Sequence, residues 1–353
     1  MDKNITKIFA ALLGIVGAMS IPASVSAQQP ASGNKLSHAR AARETARPAA
    51  QAATAEAAET PAATTYVYTL VGYPGTLNTL GVGINPGAIQ QNNEAPAVNV
   101  VGAEFFPDGL SQTGFFAHVS QTDGVTENYR LVNDAQVPTP QQTYSINDLG
   151  QIVGDYIDAN GLFHSYMLDC GKFTVFNVPF AGATGTYSPA INNSGEIVGS
   201  WNDSAGNSHS YTLIAGKFQS FDVPGASQSQ LYYGINSAGE IVGSYADAAG
   251  NLHGFLRQGK TYTTLNFPGA TLTEVSGIND AGVIVGGYCP TAACVETGQG
   301  ELGFVYNKGV YTTFAFPAEF AVGLASINNE GVIMGNYVDA ADLVYTFLAT
   351  PQQ

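Results

Sequence analysis

Five residues of this chain have side chains suited to gripping a ligand at one place: Tyr144, Tyr187, Tyr232, Tyr233 and Glu274. Each falls in a segment that opens one unit of a repeat, so a closed array of units gathers them at the mouth of a central channel. Tyrosine rings beside an acid suit sugars or cations. Packing between neighbouring units explains the same tyrosines at least as well. Glu274, with Glu196 and Glu240, also offers carboxylates of the kind a glycosidase pair uses. Glu196 and Glu240, however, recur at the variable position of a hairpin turn, where a solvated side chain suffices.

Other residues that could do chemistry have simpler readings. His164, His209 and His253 hold one position in three successive units. The rotation between units carries them apart, so they read as structural imidazoles bonding a nearby turn rather than as a metal set. Asp158-Ala-Asn160-Gly161 has part of an EF-hand spacing and lacks its bidentate acid. Gly298-Gln-Gly300-Glu-Leu-Gly303 spells a dinucleotide fingerprint, but it leads into a strand with no helix to present amides to a phosphate. No Gly-x-Ser-x-Gly elbow, His-Glu-x-x-His pair or P-loop occurs. The reading is therefore no catalytic residue, no metal and no cofactor.

The elements that position these residues repeat. Ile-Asn-x-x-Gly-x-Ile-Val-Gly runs from Ile146, Ile191, Ile235 and Ile278, with Met334 for Val in the copy from Ile327 and a degenerate start at Ile84-Asn85-Pro86-Gly87. Asn opens a tight turn, Gly three residues later closes it, and the β-branched pair suits a buried strand. An Asp-x-x-Gly turn follows, at Asp158, Asp203 and Asp247, and leads into a strand such as Phe163-His-Ser-Tyr166. A Gly-Lys turn then precedes an alternating aromatic strand such as Tyr262-Thr-Thr-Leu-Asn-Phe267, which ends at proline. Each unit is thus a four-stranded antiparallel meander of propeller-blade size. Six Ile-Asn starts and six strand-ending prolines predict an all-β, six-bladed β-propeller over 66–353. The last unit lacks its fourth strand, and Tyr66–Val71 supplies one, so the N-terminal strand is expected beside Tyr345-Thr-Phe-Leu348, closing the ring. An open β-solenoid is the rival fold.

These residues resemble the His-Ala-Phe (HAF) repeats of bacterial exported proteins. The resemblance covers about 66–348 and rests on the Ile-Asn-x-x-Gly-x-Ile-Val-Gly hairpin, the tripeptides His164-Ser-Tyr166, His209-Ser-Tyr211 and His253-Gly-Phe255, and the Tyr-Thr-Thr strands. Leu302-Gly-Phe304 and Tyr345-Thr-Phe347 depart from it where His would stand. The resemblance implies an extracellular repeat domain without a catalytic role and supplies no active-site residues.

Residues 1–27 read as a signal peptide: Lys3 and Lys7, an apolar stretch from Ile8 to Met19, and small residues at Val25-Ser26-Ala27. Residues 28–64, rich in Ala, Pro, Thr and Gln, read as a flexible tether. No later run predicts a transmembrane segment. The chain carries a formal net charge of −15. That field repels phosphate backbones and argues against nucleic acid as a partner. Cys289 and Cys294 suit a short-loop disulfide in an exported chain, and Cys170 reads as a partly buried thiol. The whole describes a secreted or periplasmic, monomeric, non-enzymatic binding or scaffolding module with a glycan or protein partner. The alternative is a polysaccharide hydrolase or lyase with carboxylates at the channel mouth.

Overall fold

The Ile-Val pair after each Asn-x-x-Gly turn forms the second strand of a meander, and the glycine that follows it explains the packing. A Cβ on Gly154 would lie 2.1 Å from the Gln142 carbonyl and against the Tyr166 ring; one on Gly199 would lie 2.0 Å from the Tyr187 carbonyl and against Tyr211. The bare glycine lets the aromatic residue of the third strand lie flat across the sheet. Tyr166, Tyr211, Phe255, Phe304 and Phe347 are all fully buried in this way. Burial of each such ring contributes roughly 2 kcal/mol.

The computed structural model describes residues 64–71, 79–87, 97–105, 112–121, 126–132, 137–139, 141–297, 299–316, 321–338 and 344–352. The expected signal peptide, and the tether up to residue 63, lie outside them. The first strand, β1 (Tyr66–Val71), stands apart in sequence from the meanders that follow. The first meander comprises β2 (Thr79–Ile84), β3 (Ala97–Phe105), β4 (Gln112–Ser120) and β5 (Thr126–Val132). Next come β6 (Gln141–Ile146), β7 (Ile152–Ile157), β8 (Phe163–Asp169) and β9 (Lys172–Phe176). They are followed by β10 (Gly185–Ile191), β11 (Ile197–Asn202), β12 (Ser208–Ile214) and β13 (Lys217–Phe221). The fourth meander is β14 (Gln228–Ile235), β15 (Ile241–Ala246), β16 (Leu252–Gln258) and β17 (Thr261–Leu265). The fifth is β18 (Leu272–Ile278), β19 (Ile284–Cys289), β20 (Leu302–Asn307) and β21 (Val310–Thr313), with a short helix α1 (Ala292–Thr297) between β19 and β20. Last come β22 (Val322–Ile327), β23 (Ile333–Val338) and β24 (Val344–Pro351).

The fold is a β-propeller with four-stranded antiparallel blades. Four blades stand as separate sheets: β2–β5, β14–β17, β18–β21, and β22–β24 with β1. The other eight strands, β6–β13, form one sheet, which differs from the expected six separate blades. The cause is local: Gly185 at the start of β10 pairs in parallel with Phe163 of β8, bridging two meanders. The N-terminal strand pairs antiparallel with β24, from Tyr66 opposite Pro351 to Val71 opposite Thr346. Gln352 N extends that ladder by donating to Thr65 O at 2.8 Å. Strand β2 in turn packs on β22, β23 and β24, so the array closes on itself. Ring closure covers the two end faces that an open stack would leave exposed, while each blade keeps only short strand edges.

The insertion in the fifth meander holds α1, tied down by a Cys289–Cys294 disulfide with Cα atoms 5.4 Å apart. Cys170 corrects its sequence reading. It is exposed, at the two-residue β8–β9 turn with φ +48°, because the left-handed turn position points its side chain outward.

Candidate functional site: the channel between the first strands

Every meander's first strand is bulged against its second. The register slips between Gly81 and Gly83, Thr143 and Ser145, Tyr187 and Ala190, Gln230 and Gly234, Val275 and Gly277, and Leu324 and Ser326. A bulge leaves a residue unpaired and re-aims its side chain. The bulge residues Val82, Tyr144, Ser276 and Ala325 all line the central cavity, a space of about 130 Å³. Its walls include the apolar Leu80, Ile84, Ile146, Ile191, Ile235, Ile278 and Leu324, with Gln142, Glu274 and Asn336 among the polar members and Asn192, Asn236, Asn279 and Asp280 at the turns.

The sequence-predicted residues separate here. Tyr144 and Glu274 line the cavity. Tyr187 does not; it is buried with its ring 4.8 Å from that of Phe163, packing between meanders. Tyr232 and Tyr233 fall within the β14 bulge, and their side chains lie outside those described.

One end of the channel is closed by asparagines. Asn192 Oδ1 accepts from Ser194 N and Glu196 N, both at 3.0 Å, which fixes its own turn. Its Nδ2 donates to Glu196 Oε2 at 2.8 Å and across to Asn236 O at 3.1 Å. The same step across to the next meander recurs from Asn147 to Asn192 O, from Asn236 to Asn279 O and from Asn279 to Asn328 O. The motif asparagine is therefore both a turn former and a tie between neighbours. Glu196 and Glu240 are not simply solvated: each carboxylate accepts from its asparagine, at 2.8 and 2.7 Å. The chain of ties stops at Asn328, whose buried Nδ2 has no partner among the described residues. Val332 stands there where Gln151, Glu196 and Glu240 provide an acceptor in other copies. A rim of Asp148 with Asn193, Ser237 with Asp280, and Asp280 with Asn329 hydrogen-bonds outside this ring.

The other end differs in kind. Glu274 pairs across the ladder with Gly287, and a Cβ on Gly287 would lie 2.1 Å from Glu301 Oε1. Glu274 is 8% exposed and Glu301 4%. Burial pushes the Glu274 carboxyl up to about 7. Burial, together with the charge of Glu274, raises Glu301 well above the usual carboxylate range. Four other meanders carry a polar side chain where the fifth has Gly287, and the first carries Ala103. Asp155 Oδ1 accepts from Ser188 N at 3.0 Å, Ser244 Oγ from Val275 N at 3.0 Å, and Asn336 Oδ1 from Gly81 N at 3.2 Å. Each ties its meander to the next first strand. Desolvation of Asp155 moves its carboxyl up to about 8, against the hydrogen bonds from Ser188 and Ser165.

The histidines bond turns within their own meanders. His164, His209 and His253 place Nε2 at 3.3, 3.5 and 3.3 Å from Asp158, Asp203 and Asp247. Their Nδ1 atoms meet Asn177, Asp222 and Asn266. Backbone and side-chain amides of the turns hold Asp158 and Asp203 down at about 2. Among the described residues, no group of three or more His, Cys, Asp or Glu is placed to hold a metal ion. No described helix is long and apolar enough to cross a membrane.

No family model matches the chain, and no curated protein matches it by sequence. Among solved structures it is similar to TolB from Acinetobacter baumannii, at 12% identity and a TM-score of 0.49, over 72% of this chain and 64% of that one. It is similar to Trypanosoma rangeli sialidase at 9% identity and a TM-score of 0.49, over 81% of this chain and 54% of that one. A six-bladed fungal lectin of Aleuria aurantia matches at 9% identity and a TM-score of 0.47, over 82% and 97%. The chain thus spans less than two thirds of the TolB and sialidase chains. At these values the likeness assigns neither ligand nor reaction.

Proposed function

We propose that the chain is an exported, non-enzymatic, six-bladed propeller of the HAF-repeat type that binds or scaffolds outside the cytoplasm. The count of six treats the eight-stranded sheet as two blades, supported by its division into two complete meanders that share a single residue pair. The observation that carries a binding role is the set of bulges, which turn Tyr144 into an apolar cavity that also holds the acid Glu274. An aromatic face and a carboxylate among apolar walls suit a glycan unit or a cationic protein side chain. A glycan array and a pull-down with the purified protein test this. Binding that weakens at least about tenfold in Tyr144→Ala supports it; reproducible polysaccharide turnover without stable binding overturns it.

The second reading, a hydrolase or lyase, is favoured by one observation: Glu274 borders the channel beside a second carboxylate, and burial raises both acids above the usual carboxylate range. Against it, Glu301 is almost wholly enclosed, where a polymer cannot reach. Unchanged turnover in Glu274→Gln would remove this residue from any such chemistry.

A further inference from the structure

We propose that Glu274 and Glu301 together hold a calcium-sized divalent cation at the end of the channel remote from the asparagine turns. Glu274 lies four residues before the end of β18, about 13 Å along the strand from that turn. Neither carboxylate accepts a hydrogen bond or ion pair from another described residue, and Glu301 Oε1 is buried with no partner among them. Two enclosed carboxylates cannot both ionise beside one another without a positive charge between them.

The place is built rather than incidental. Gly287 leaves open the space that Asp155, Ser244 and Asn336 fill with side chains in other meanders, and Glu301 Oε1 points into it. Gly303, opposite Gly287 on β20, adds no side chain either. The α1 insertion and its disulfide deliver Glu301 to this point, and Val322 N fixes its backbone by donating to Glu301 O at 3.2 Å. The two carboxylates offer up to four oxygens, and water entering from the channel past Glu274 completes the coordination shell. Calcium accepts such an irregular oxygen set, whereas magnesium demands near-octahedral geometry. An organic cation in the channel can approach Glu274 but cannot reach Glu301 Oε1, which is closed to solvent. The half-buried acids Asp158, Asp203 and Asp247 do not compete, since their oxygens are already engaged by turn amides. The site stands whether or not the channel takes a further ligand, and its test uses the ion alone.

The experiment is calorimetric titration of the chelator-stripped protein with calcium chloride at pH 7.5, paired with thermal unfolding. The expected result is one site per chain, proton release on binding and a raised Tm, with Glu274→Gln and Glu301→Gln each weakening affinity at least about tenfold. Both variants copy the shape of a protonated glutamate, so they are expected to fold. Proton release by the unaltered protein remains a readout should either fail to. A triple Asp158→Asn, Asp203→Asn, Asp247→Asn variant should keep the site. Absence of binding at millimolar calcium, or equal binding in both glutamine variants, overturns the proposal. So does a Tm that rises in the glutamine variants while calcium leaves the unaltered protein unchanged, since that marks a pair sharing one proton.

Discussion

The two ends of the channel solve the same problem in opposite ways. At the asparagine end, polar groups from successive meanders satisfy one another almost completely, and the result is a lock between neighbours. At the glutamate end, two buried carboxylates lie on either side of Gly287 without donors among the described residues. Satisfied buried polar networks rigidify a fold, whereas an unsatisfied group calls for a ligand or for a shift in protonation. The difference teaches which end is architecture and which end is open to chemistry.

Breaking the lock should have the largest effect. Asn192→Ala removes the acceptor for two turn amides and the tie to Asn236 O, and is expected to cost about 4 kcal/mol in urea unfolding. A loss below about 1 kcal/mol would show that the ring of ties is incidental.

The glutamate end should appear next, as a pH dependence. Glu274 and Asp155 bind their protons more tightly folded than unfolded, with folded values of about 7 and about 8. Their contribution is complete below the unfolded carboxyl range and disappears as pH rises through 7 to 8. Ion-free protein should therefore lose about 3 kcal/mol between pH 5 and pH 9 from Glu274 alone. Asp158 and Asp203 are held near 2, so they act in the opposite sense and give way only under strong acid. Denaturation midpoints across this range check the sign; a flat profile from pH 5 to 9 would contradict the burial of these acids.

A smaller change should follow from relieving the pair directly. Glu301→Gln in ion-free buffer at pH 8 is expected to stabilise the protein by about 1–2 kcal/mol, read from the same unfolding curves. Destabilisation would mean that Glu301 has a partner in solution. The finest discrimination lies within the asparagine ring. Because Asn328 Nδ2 has no acceptor among the described residues, Asn328→Ala should cost about 1 kcal/mol less than Asn192→Ala.

Much of this was legible in the residues. The turn signals and the alternation of Tyr262–Phe267 located the strands, and the missing last strand pointed to Tyr66–Val71, which indeed pairs with β24. Local chemistry sets turns and strand period, so a single sequence can reveal them. The asparagine ties could not be read, because the donor of one copy meets the carbonyl of the next only after the meanders are packed. The ring of Tyr144 is visible in the sequence but its bulge is not, and Tyr187, an equivalent ring, packs against a neighbouring meander instead. A bulge depends on how two strands register, and nothing at position 144 or 187 announces it. The one sequence signal for Glu301 is Gly287, standing where four other copies carry Asp155, Ser200, Ser244 and Asn336.

The amino-acid order by itself determined the repeating meander, its turns and the swap of one strand from head to tail, since these follow from φ preferences and a period of two. Tertiary structure alone decided which side chains meet at the axis and which polar atoms are left without partners. Those outcomes depend on desolvation and on distances between residues far apart in the chain, and neither is encoded by any local stretch.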